Sequence, residues 1–454
     1  MSNTTPVDVA AAMSSYRTAI IGLGITGRSC IRHLQGHELI VLDTRDGPGL
    51  RNDLPSHPAL EVHTGVQEFD FSGVDQVIVS PGVSLDVPLL DQARRIGVPL
   101  RSDIELFMVS ATAPVFGITG TNGKSTVTAM TGALLENAGY QVNVGGNLGE
   151  PALDLLTTQC DFYVLELSSF QLERMQPATL AGATVLNVTE DHIDRHGSLE
   201  AYGAVKRTIF ERAAVCAINR ADGRTKPTSI PVGRVTSFGL DSPAQGEWGR
   251  RMIKGQSWFA RGDRCRLPTA DLTLSGLHNQ ENFLAACAVL DDLTLPDKVL
   301  HAVATGFSGL PHRCVSLGER RGVRYVNDSK ATNVGATLAA VNGIAPTLIT
   351  NGRIVLLAGG DGKGADFSPL QSLAGSLRGV VVYGRDAAQI ETTMQGVAAT
   401  VRVTNFEDAI LRAAALAEPG DCVLLAPACA SLDMFANYSA RGRRFAELVE
   451  ALPA

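Results

Sequence analysis

The chain has 454 residues, of which 45% are hydrophobic, with a formal net charge of −7 and a pI near 5.8. At roughly 150 residues per domain, this length predicts about three domains, each able to bury a core. Because the net charge is negative, the chain lacks the overall positive potential that binds nucleic acid or an anionic membrane. The eight cysteines form no Cys-x-x-Cys pair, which is typical of buried thiols in a reducing compartment. With no targeting or membrane-spanning pattern, we expect a cytoplasmic protein.

The first motif in chain order is a glycine-rich turn behind a buried-strand pattern. Gly22, Gly24 and Gly27 have G-x-G-x-x-G spacing, and Asp43 follows the next strand-like run. This arrangement is typical of the opening unit of a dinucleotide-binding fold. NAD(P), another diphosphate-bearing nucleotide such as a UDP-sugar, and a tight turn without a ligand all stay open.

The second motif, at residues 113–126, predicts a nucleotide-phosphate loop. An apolar strand runs into a glycine-rich turn and then into a helix. Gly120 and Gly123 permit a tight turn whose N–H groups, with the helix N-terminus, can face an anion. Lys124 adds a mobile positive charge for the outer phosphates.

Candidate metal ligands surround this loop. Ser125 or Thr126, at the start of the helix, would hold a magnesium ion. Two apolar strand-like runs end at Glu166 and near His192, and open α/β sheets bind ligands at such strand ends. Glu166 could instead cap a helix or pair with an arginine, and His192 could be a turn histidine. A hard, oxygen-ligated ion suits a phosphate site better than zinc.

The rest of the chain offers further polar positions. Asn279 and Asn282 share one helix face at i, i+3, which fits either a solvated face or amides that contact a base. Two loops of a third α/β region carry Lys330 and Lys363 at strand ends, although each loop alone is as often a turn or a helix cap. Residues 222–275 are irregular in pattern, with short β-like pieces, and they show no motif that indicates a chemical function.

The combination of three regions favours one reaction class. A dehydrogenase would leave Lys124 without a role, and a simple ATPase would not need the flanking sheets. Two nucleotide-type sites and a third domain with polar loops favour a ligase that uses ATP to join a nucleotide-carried acid to a small molecule.

Six motifs make the chain resemble the bacterial Mur ligases along nearly its whole length. They are Gly117-Ile-Thr-Gly-Thr-Asn-Gly-Lys-Ser-Thr126, Gly145-Gly-Asn-Leu-Gly149, Leu165-Glu-Leu-Ser-Ser-Phe-Gln-Leu-Glu173, Leu186-Asn-Val-Thr-Glu-Asp-His-Ile-Asp194, Asn327-Asp-Ser-Lys-Ala-Thr-Asn333 and Pro427-Ala-Cys-Ala-Ser-Leu-Asp433. The resemblance implies an α/β protein of three domains: a Rossmann-like UDP-sugar-binding domain at 1–102, a P-loop ATPase-type domain at 103–309, and a Rossmann-like amino-acid-binding domain at 310–454.

The resemblance also implies an activity. The branch of the family with the same motifs adds D-glutamate to UDP-N-acetylmuramoyl-L-alanine through an acyl phosphate, forming ADP, in peptidoglycan precursor synthesis. The implied cofactors are ATP and Mg²⁺, with two metal sites. The implied partners are these small-molecule substrates, with no nucleic acid and no membrane, and the implied state is a monomer.

Motif positions transfer the family's functional residues to this chain. The resemblance assigns ATP to Gly120, Thr121, Asn122, Gly123, Lys124, Ser125, Thr126, Asn279, Asn282, Arg313 and Asp328. It assigns the UDP-sugar and the amino acid to Gly24, Ile25, Thr26, Asp43, Thr44, Arg45, Asn147, Ser168, Thr332, Lys363, Ser431, Leu432 and Tyr438. It assigns catalysis to Lys124, His192, Lys206 and Lys330, and the metal ions to Ser125, Glu166, His192 and Lys206.

Three of these positions need comment. From the residues alone, Lys206 on an amphipathic helix would be solvated, whereas the resemblance implies that it is carbamylated and binds Mg²⁺. Ser431 is expected at the start of a helix over 430–435, where the helix N-terminus favours an anion. Tyr438 departs from the family, in which phenylalanine is usual at this place.

Two alternatives remain from the sequence. Folylpolyglutamate synthase also joins glutamate through an acyl phosphate, but its loop has glycine where this chain has Ser125. A non-catalytic nucleotide sensor could use the same domains, although the joint presence of Lys124, Glu166, His192 and Lys330 argues against it.

Overall fold

In a computed structural model, the chain is described over residues 16–51, 54–274, 276–310, 314–349 and 351–453. Three sheets of five, nine and six strands follow one another along the sequence. Within these ranges, no helix has the length and apolar character needed to cross a bilayer.

The first sheet is entirely parallel. Its strands are β1 Arg17–Ile21, β2 Glu38–Asp43, β3 Leu60–Thr64, β4 Gln76–Val79 and β5 Leu100–Arg101, in the order β3-β2-β1-β4-β5. The flanking helices are Ile25–His33 and Pro88–Arg95. β1 is central and apolar, as expected for a strand covered on both faces. The strand order reverses between β1 and β4, which is where ligands of doubly wound sheets bind.

The central sheet combines a parallel part with an antiparallel extension. Its strands are β6 Val115–Thr119, β7 Val142–Gly146, β8 Phe162–Glu166, β9 Gly182–Val185, β10 Val215–Asn219, β11 Arg234–Phe238, β12 Trp248–Ile253, β13 Gln256–Arg261 and β14 Arg264–Pro268. The order is β14-β13-β12-β11-β10-β9-β6-β8-β7. The last three strands form an antiparallel meander within residues 248–268, where the sequence shows short β-like pieces.

Helices cover the central sheet and carry the loops of the site. They are Asp103–Ser110, Lys124–Asn137, Ser169–Leu172, Ile193–His196, Leu199–Arg207, Leu277–Val289 and Asp297–Gly306. The helix behind the phosphate loop packs against Leu277–Val289, whose second half is apolar on all sides and fully buried.

The third sheet is parallel except for its first strand. Its strands are β15 Val315–Arg320, β16 Val323–Asn327, β17 Ile354–Gly359, β18 Leu377–Tyr383, β19 Ala399–Arg402 and β20 Cys422–Leu425, in the order β15-β16-β20-β17-β18-β19. β15 runs antiparallel to β16. The helices are Val334–Ile344, Ala387–Met394, Phe406–Leu416 and Tyr438–Glu450.

The three sheets differ in whether they share an apolar core with a neighbouring sheet. One cluster contains Ile20 and Leu39 of the first sheet together with Phe107 and Tyr163 of the central part. The two clusters of the third sheet contain only residues of that sheet and its helices. The first sheet therefore shares a core with the central one, whereas the third sheet has cores of its own.

Candidate active site

The phosphate loop between β6 and the helix Lys124–Asn137 is a tight cradle. Gly120 has φ +151° and Gly123 has φ +86°. A Cβ atom on Gly120 would lie 2.9 Å from Leu186 Cβ, and one on Gly123 would lie 2.6 Å from Asn282 Oδ1. Both positions therefore require glycine, and the loop backbone stays open to a ligand rather than filled by side chains.

The loop is braced by the segment that follows β9. Asn187 accepts a hydrogen bond from Asn122 N at 2.8 Å and donates one to Asn122 O at 3.1 Å. The Thr121 hydroxyl donates to Thr189 O at 3.1 Å and accepts from Thr189 N at 3.0 Å. These four bonds hold the loop in one conformation. Sequence reasoning missed Asn187, although it lies inside one of the six motifs.

Two lysines converge on the carbonyl oxygen of Gly120. Lys124 Nζ and Lys206 Nζ each donate to it at 2.9 Å, and Lys124 also donates to Thr121 O at 2.8 Å. Lys206 is only 1% exposed, with Nζ 4.4 Å from the centroid of the Tyr202 ring. Burial, and then the charge of Lys124, lower the pKa of Lys206 well below its usual value. The expectation of a solvated lysine from the helix pattern alone is wrong.

Glu166 ends β8 beside these lysines and is 1% exposed. Asn147 Nδ2 donates to its Oε1 at 2.7 Å, whereas its buried Oε2 has no hydrogen-bond partner within the described ranges. Burial alone would raise the pKa of Glu166, but the charges of Lys124 and Lys330 outweigh it and hold the pKa below the usual value. An ionised, buried oxygen without a partner fits a cation ligand.

His192 lies at the end of the segment after β9, with a left-handed φ of 55°. Its ring centroid is 4.8 Å from that of Phe170. Burial, assisted by the charges of Lys363 and Lys124, lowers the pKa of His192 to about 4 against the pull of Asp191. The imidazole is therefore neutral at pH 7, which is the form that binds metals.

A metal at this site would need mixed donors. Over the described residues, no group of three or more His, Cys, Asp or Glu side chains is placed to hold an ion. Of the residues expected to bind the metal, Ser125 and Glu166 are each only 1% exposed, and His192 lines a neighbouring cavity.

Residues of the central and third domains line one cavity of about 200 Å³ beside the loop. Asn279 and Asn282 lie in its wall, and Asn282 Nδ2 donates to Asn279 Oδ1 at 3.3 Å. Asp328 and Lys330 line the side formed by the third domain. Six of the residues assigned to ATP or catalysis thus share this cavity, including Asn122 and Gly123 of the loop. Arg313 lies outside the described residues.

A second cavity of about 560 Å³ joins the same two domains. Its wall includes His192, Thr332 and Lys363. Lys363 Nζ lies 3.3 Å from Asp191 Oδ1, so that a carboxylate of the central domain already faces this ammonium. The cavity is large enough for an amino acid beside the end of a larger substrate.

The last loop of the third domain differs from prediction. Residues 431–437 form turns, and the helix begins only at Tyr438, where the Asn437 side chain accepts from Ala440 N. The expected helix over 430–435 is wrong, because Ala430 is held extended in a bridge to Asp361 and the residues after it form only turns and bends. Ser431 is 3% exposed and Leu432 is 72% exposed.

The first domain places its assigned residues around the turn after β1. Gly24 is the N-cap of Ile25–His33, which puts Ile25 and Thr26 in the first helical turn, and Ile25 is 74% exposed. The Asp43 carboxylate accepts from Leu23 N at 2.8 Å and from the Arg45 guanidinium at 3.0 and 2.8 Å. Asp43 therefore braces the turn from β2.

Thr44 and Ser168 have local roles in the described fold. Thr44 lies between Asp43 and Arg45, and its carbonyl accepts from Gln67 Nε2 at 3.4 Å. Ser168 caps the short helix Ser169–Leu172 in a capping box with Gln171.

The fold and the site together define a three-domain α/β protein with a phosphate loop in its central domain, faced by lysines of the third. Three family descriptions match the chain in the same order: "Mur ligase MurD-like, N-terminal domain" at 16–102, "Mur ligase middle domain" at 118–290 and "Mur ligase, glutamate ligase domain" at 312–429. The chain belongs to the Mur ligase family. The predicted fold of three α/β domains is confirmed.

Curated relatives match along nearly the full length. The chain is 45% identical to the UDP-N-acetylmuramoylalanine--D-glutamate ligase of Pseudomonas aeruginosa over 97% of this chain and 99% of that protein. It is 43% identical to the ligase of the same name from Marinobacter nauticus, with the same coverage.

Solved structures share the fold at low identity. The UDP-N-acetylmuramate-alanine ligase MurC of Thermotoga maritima has a TM-score of 0.62 at 18% identity, covering 96% of this chain and 99% of that one. FolC of Escherichia coli, in a complex with DHPP and ADP, has a TM-score of 0.57 at 19% identity, covering 77% of this chain and 92% of that one.

Proposed function

We propose that this Mur ligase adds D-glutamate to UDP-N-acetylmuramoyl-L-alanine in peptidoglycan precursor synthesis, with ATP converted to ADP. The identity of the two substrates is supported by the 43–45% identical relatives that carry this activity in their names. The chemistry is supported by one observation above all: Glu166 has a buried oxygen without a hydrogen-bond partner in the described residues, and the charges of Lys124 and Lys330, from two domains, act on its carboxylate.

The chain's residues fit ATP at the loop and its neighbouring cavity. Gly120 and Gly123 leave backbone N–H groups free of side-chain cover, and Lys124 supplies the charge for the outer phosphates. Asn279 and Asn282 offer amides to the base, and Asp328 lies across the cavity from them. Bound ATP supplies an activated phosphoryl group, which the substrate carboxylate takes up to become an acyl phosphate.

Positioning and charge neutralisation are the main tasks of the protein in such a transfer. Lys124 and Lys330 place two positive charges opposite the Glu166 carboxylate. Ser125, Glu166, His192 and a carbamylated Lys206 would hold magnesium in two sites, and the metal would neutralise phosphate charge. The buried setting strengthens each of these interactions.

Lys206 suits carbamylation because its burial beside another lysine disfavours the charged ammonium form. Burial and the neighbouring Lys124 lower the pKa of Lys206, and a neutral amine is the form that reacts with carbon dioxide. The product is an anion, which would replace the repulsion between Lys206 and Lys124 by an attraction.

The amino acid is assigned to the larger cavity. Lys363 and Thr332 line it, and Ser431 is buried in the neighbouring loop of the third domain. The carboxylates of glutamate need such cationic and hydrogen-bonding anchors, whereas its amine must be neutral to displace phosphate. The UDP-sugar is assigned to the turn of the first domain, with Asn147 and His192 near its muramoyl end.

The proposal includes the organisation of the chain. We place the domain boundaries at 1–102, 103–309 and 310–454, and we expect a cytoplasmic monomer that uses only small-molecule substrates.

The test offers purified protein ATP, Mg²⁺, UDP-N-acetylmuramoyl-L-alanine and one amino acid at a time, and measures ADP and the product mass. We expect ADP and ligated product with D-glutamate and none with L-glutamate. Lys124→Ala is the inactive control, with a loss on the order of 100-fold or more, and Lys226→Ala, which changes an exposed lysine, is its matched control. Equal incorporation of both enantiomers, or ADP without product, would contradict the proposal.

A further inference from the structure

Asn333 joins the third domain to two separate parts of the central domain. Its Oδ1 accepts from Ala336 N at 2.8 Å and caps the helix Val334–Ile344. Its Nδ2 donates to Asn122 Oδ1 at 3.2 Å and to Asp191 Oδ2 at 3.1 Å. The residue is 8% exposed. One buried amide thus uses its oxygen within its own domain and its two hydrogens across the domain boundary.

The two acceptors belong to different ligand sites. Asn122 is part of the phosphate loop, and its backbone is fixed at both N–H and C=O by Asn187. Asp191 reaches the other cavity, since its Oδ1 lies 3.3 Å from Lys363 Nζ. A continuous path of side chains therefore runs from the phosphate loop through Asn333 and Asp191 to the Lys363 ammonium.

We propose that Asn333 is a positioning residue that couples nucleotide binding at the phosphate loop to amino-acid binding at Lys363. The inference rests on the proposed function, because it takes glutamate as the ligand of Lys363. The Asn122 backbone is already fixed by Asn187, so phosphates in the loop act on its side chain, and this side chain restrains the Asn333 amide. The amide fixes Asp191, which determines where the Lys363 ammonium stands.

These contacts explain how a nucleotide in the phosphate loop would favour the binding of glutamate. With the loop filled, the ammonium is held in one place, and a glutamate carboxylate meets it without having to order it first. Coupling between two binding sites is reciprocal, so glutamate must tighten nucleotide binding by the same factor.

A role as a helix cap alone predicts a different outcome, and one substitution separates the two. Serine caps helices about as well as asparagine, so Asn333→Ser keeps the cap but removes the amide that reaches Asn122 and Asp191. Asn405 offers a matched control, because its Oδ1 caps the helix Phe406–Leu416 of the same domain through Asp408 N at 2.7 Å. Asn405→Ser makes the same chemical change away from both cavities.

The experiment is calorimetry on the full-length protein saturated with UDP-N-acetylmuramoyl-L-alanine and Mg²⁺. The Kd of D-glutamate is measured with and without a non-hydrolysable ATP analogue, and the Kd of the analogue with and without D-glutamate. Wild type and Asn405→Ser should show tightening of about fivefold or more in both directions. Asn333→Ser should bring both ratios close to one, while its melting temperature stays near that of Asn405→Ser.

Full coupling in Asn333→Ser, or no coupling in wild type, would overturn the inference. If Asn333→Ser does not fold, Asn122→Ala removes the loop end of the same path. It should also reduce the coupling ratio, and wild-type coupling in Asn122→Ala would overturn the inference. If the proposed function itself is wrong, a different result is expected: wild type would form no ADP from ATP, the UDP-sugar and D-glutamate.

Discussion

Lys330 Nζ lies 3.2 Å from the phenol oxygen of Tyr438 and 4.7 Å from the centroid of its ring. The two residues are 108 positions apart, so this contact ties the loop after β16 to the start of the last helix. The ring face attracts the ammonium, and the oxygen fixes its direction. Phenylalanine in this place would keep the first interaction and lack the second.

Tyr438→Phe should therefore lower activity moderately. Loss of one hydrogen bond to a charged group costs about 1–2 kcal/mol in a half-buried place, which is roughly a tenfold fall in kcat/KM. Tyr438→Leu, which also removes the ring, should fall further. Tyr140→Phe changes a tyrosine that packs on Phe162 and should leave steady-state kinetics unaltered. Wild-type kinetics in Tyr438→Phe would show that the phenol does not position Lys330.

Lys206→Ala should be nearly inactive and partly rescued by added short-chain carboxylates. The alanine leaves a buried space beside Gly120 into which a small carboxylate can bring the oxygen donors of the missing carbamate. Rates would be measured with and without acetate or formate, using chloride as the salt control. Absence of rescue, together with an unmodified Lys206 in a crystal structure, would remove the carbamate from the mechanism.

Lys363→Ala should weaken the use of glutamate much more than the use of ATP. The substitution removes a half-buried cation and leaves Asp191 without its partner at 3.3 Å. Truncating one side of such a pair costs about 2–5 kcal/mol, seen here as a raised KM for D-glutamate. The KM for D-glutamate and the KM for ATP are measured in the wild type and in the variant. Equal changes of the two KM values would contradict the assignment of this cavity to the amino acid.

Asp103→Asn should stabilise the protein at neutral pH. Asp103 is 2% exposed, and burial raises its pKa from 3.8 to about 6. Between these two values the folded state holds a proton that the unfolded state has lost, so stability falls as pH rises through this window. Above pH 6 the buried, ionised carboxylate lowers the free energy of unfolding by its full amount, roughly 3 kcal/mol.

Denaturant unfolding at pH 4 and pH 7.5 measures this effect. The advantage of Asp103→Asn should be large at pH 7.5 and small at pH 4, which lies close to the unfolded-state pKa of 3.8, so that little of the penalty has yet developed. An equal advantage at both values would point to packing rather than to ionisation.

Local signals made much of the fold predictable. Glycine spacing, apolar strands and the lysine that follows them lie within a few residues of one another, and the phosphate loop and the three α/β domains could be predicted from them. The sequence of residues 222–275 lacked such signals, because the meander of β12 to β14 alternates charged and apolar residues weakly. The helix start at Tyr438 had a local signal in Asn437, which was overlooked.

The contacts within the site depend on residues far apart in the chain. Lys206 meets Gly120 across 86 positions, Asn187 meets Asn122 across 65, and Asn333 meets Asn122 across 211. Periodicity reports only which face of a helix is apolar, and it placed Lys206 in solvent for that reason. The burial of this lysine follows from packing against the loop, which no local pattern encodes.

The distribution of the apolar cores over the domains determines which fragments of the chain keep a complete core. A fragment ending at residue 102 would lose Phe107 and Tyr163, which complete the core around Ile20 and Leu39, and would expose apolar surface to water. A fragment from 314 to 453 keeps both of its clusters whole. The third domain is therefore suited to independent expression, labelling and exchange between relatives, whereas the first domain must be produced together with its neighbour.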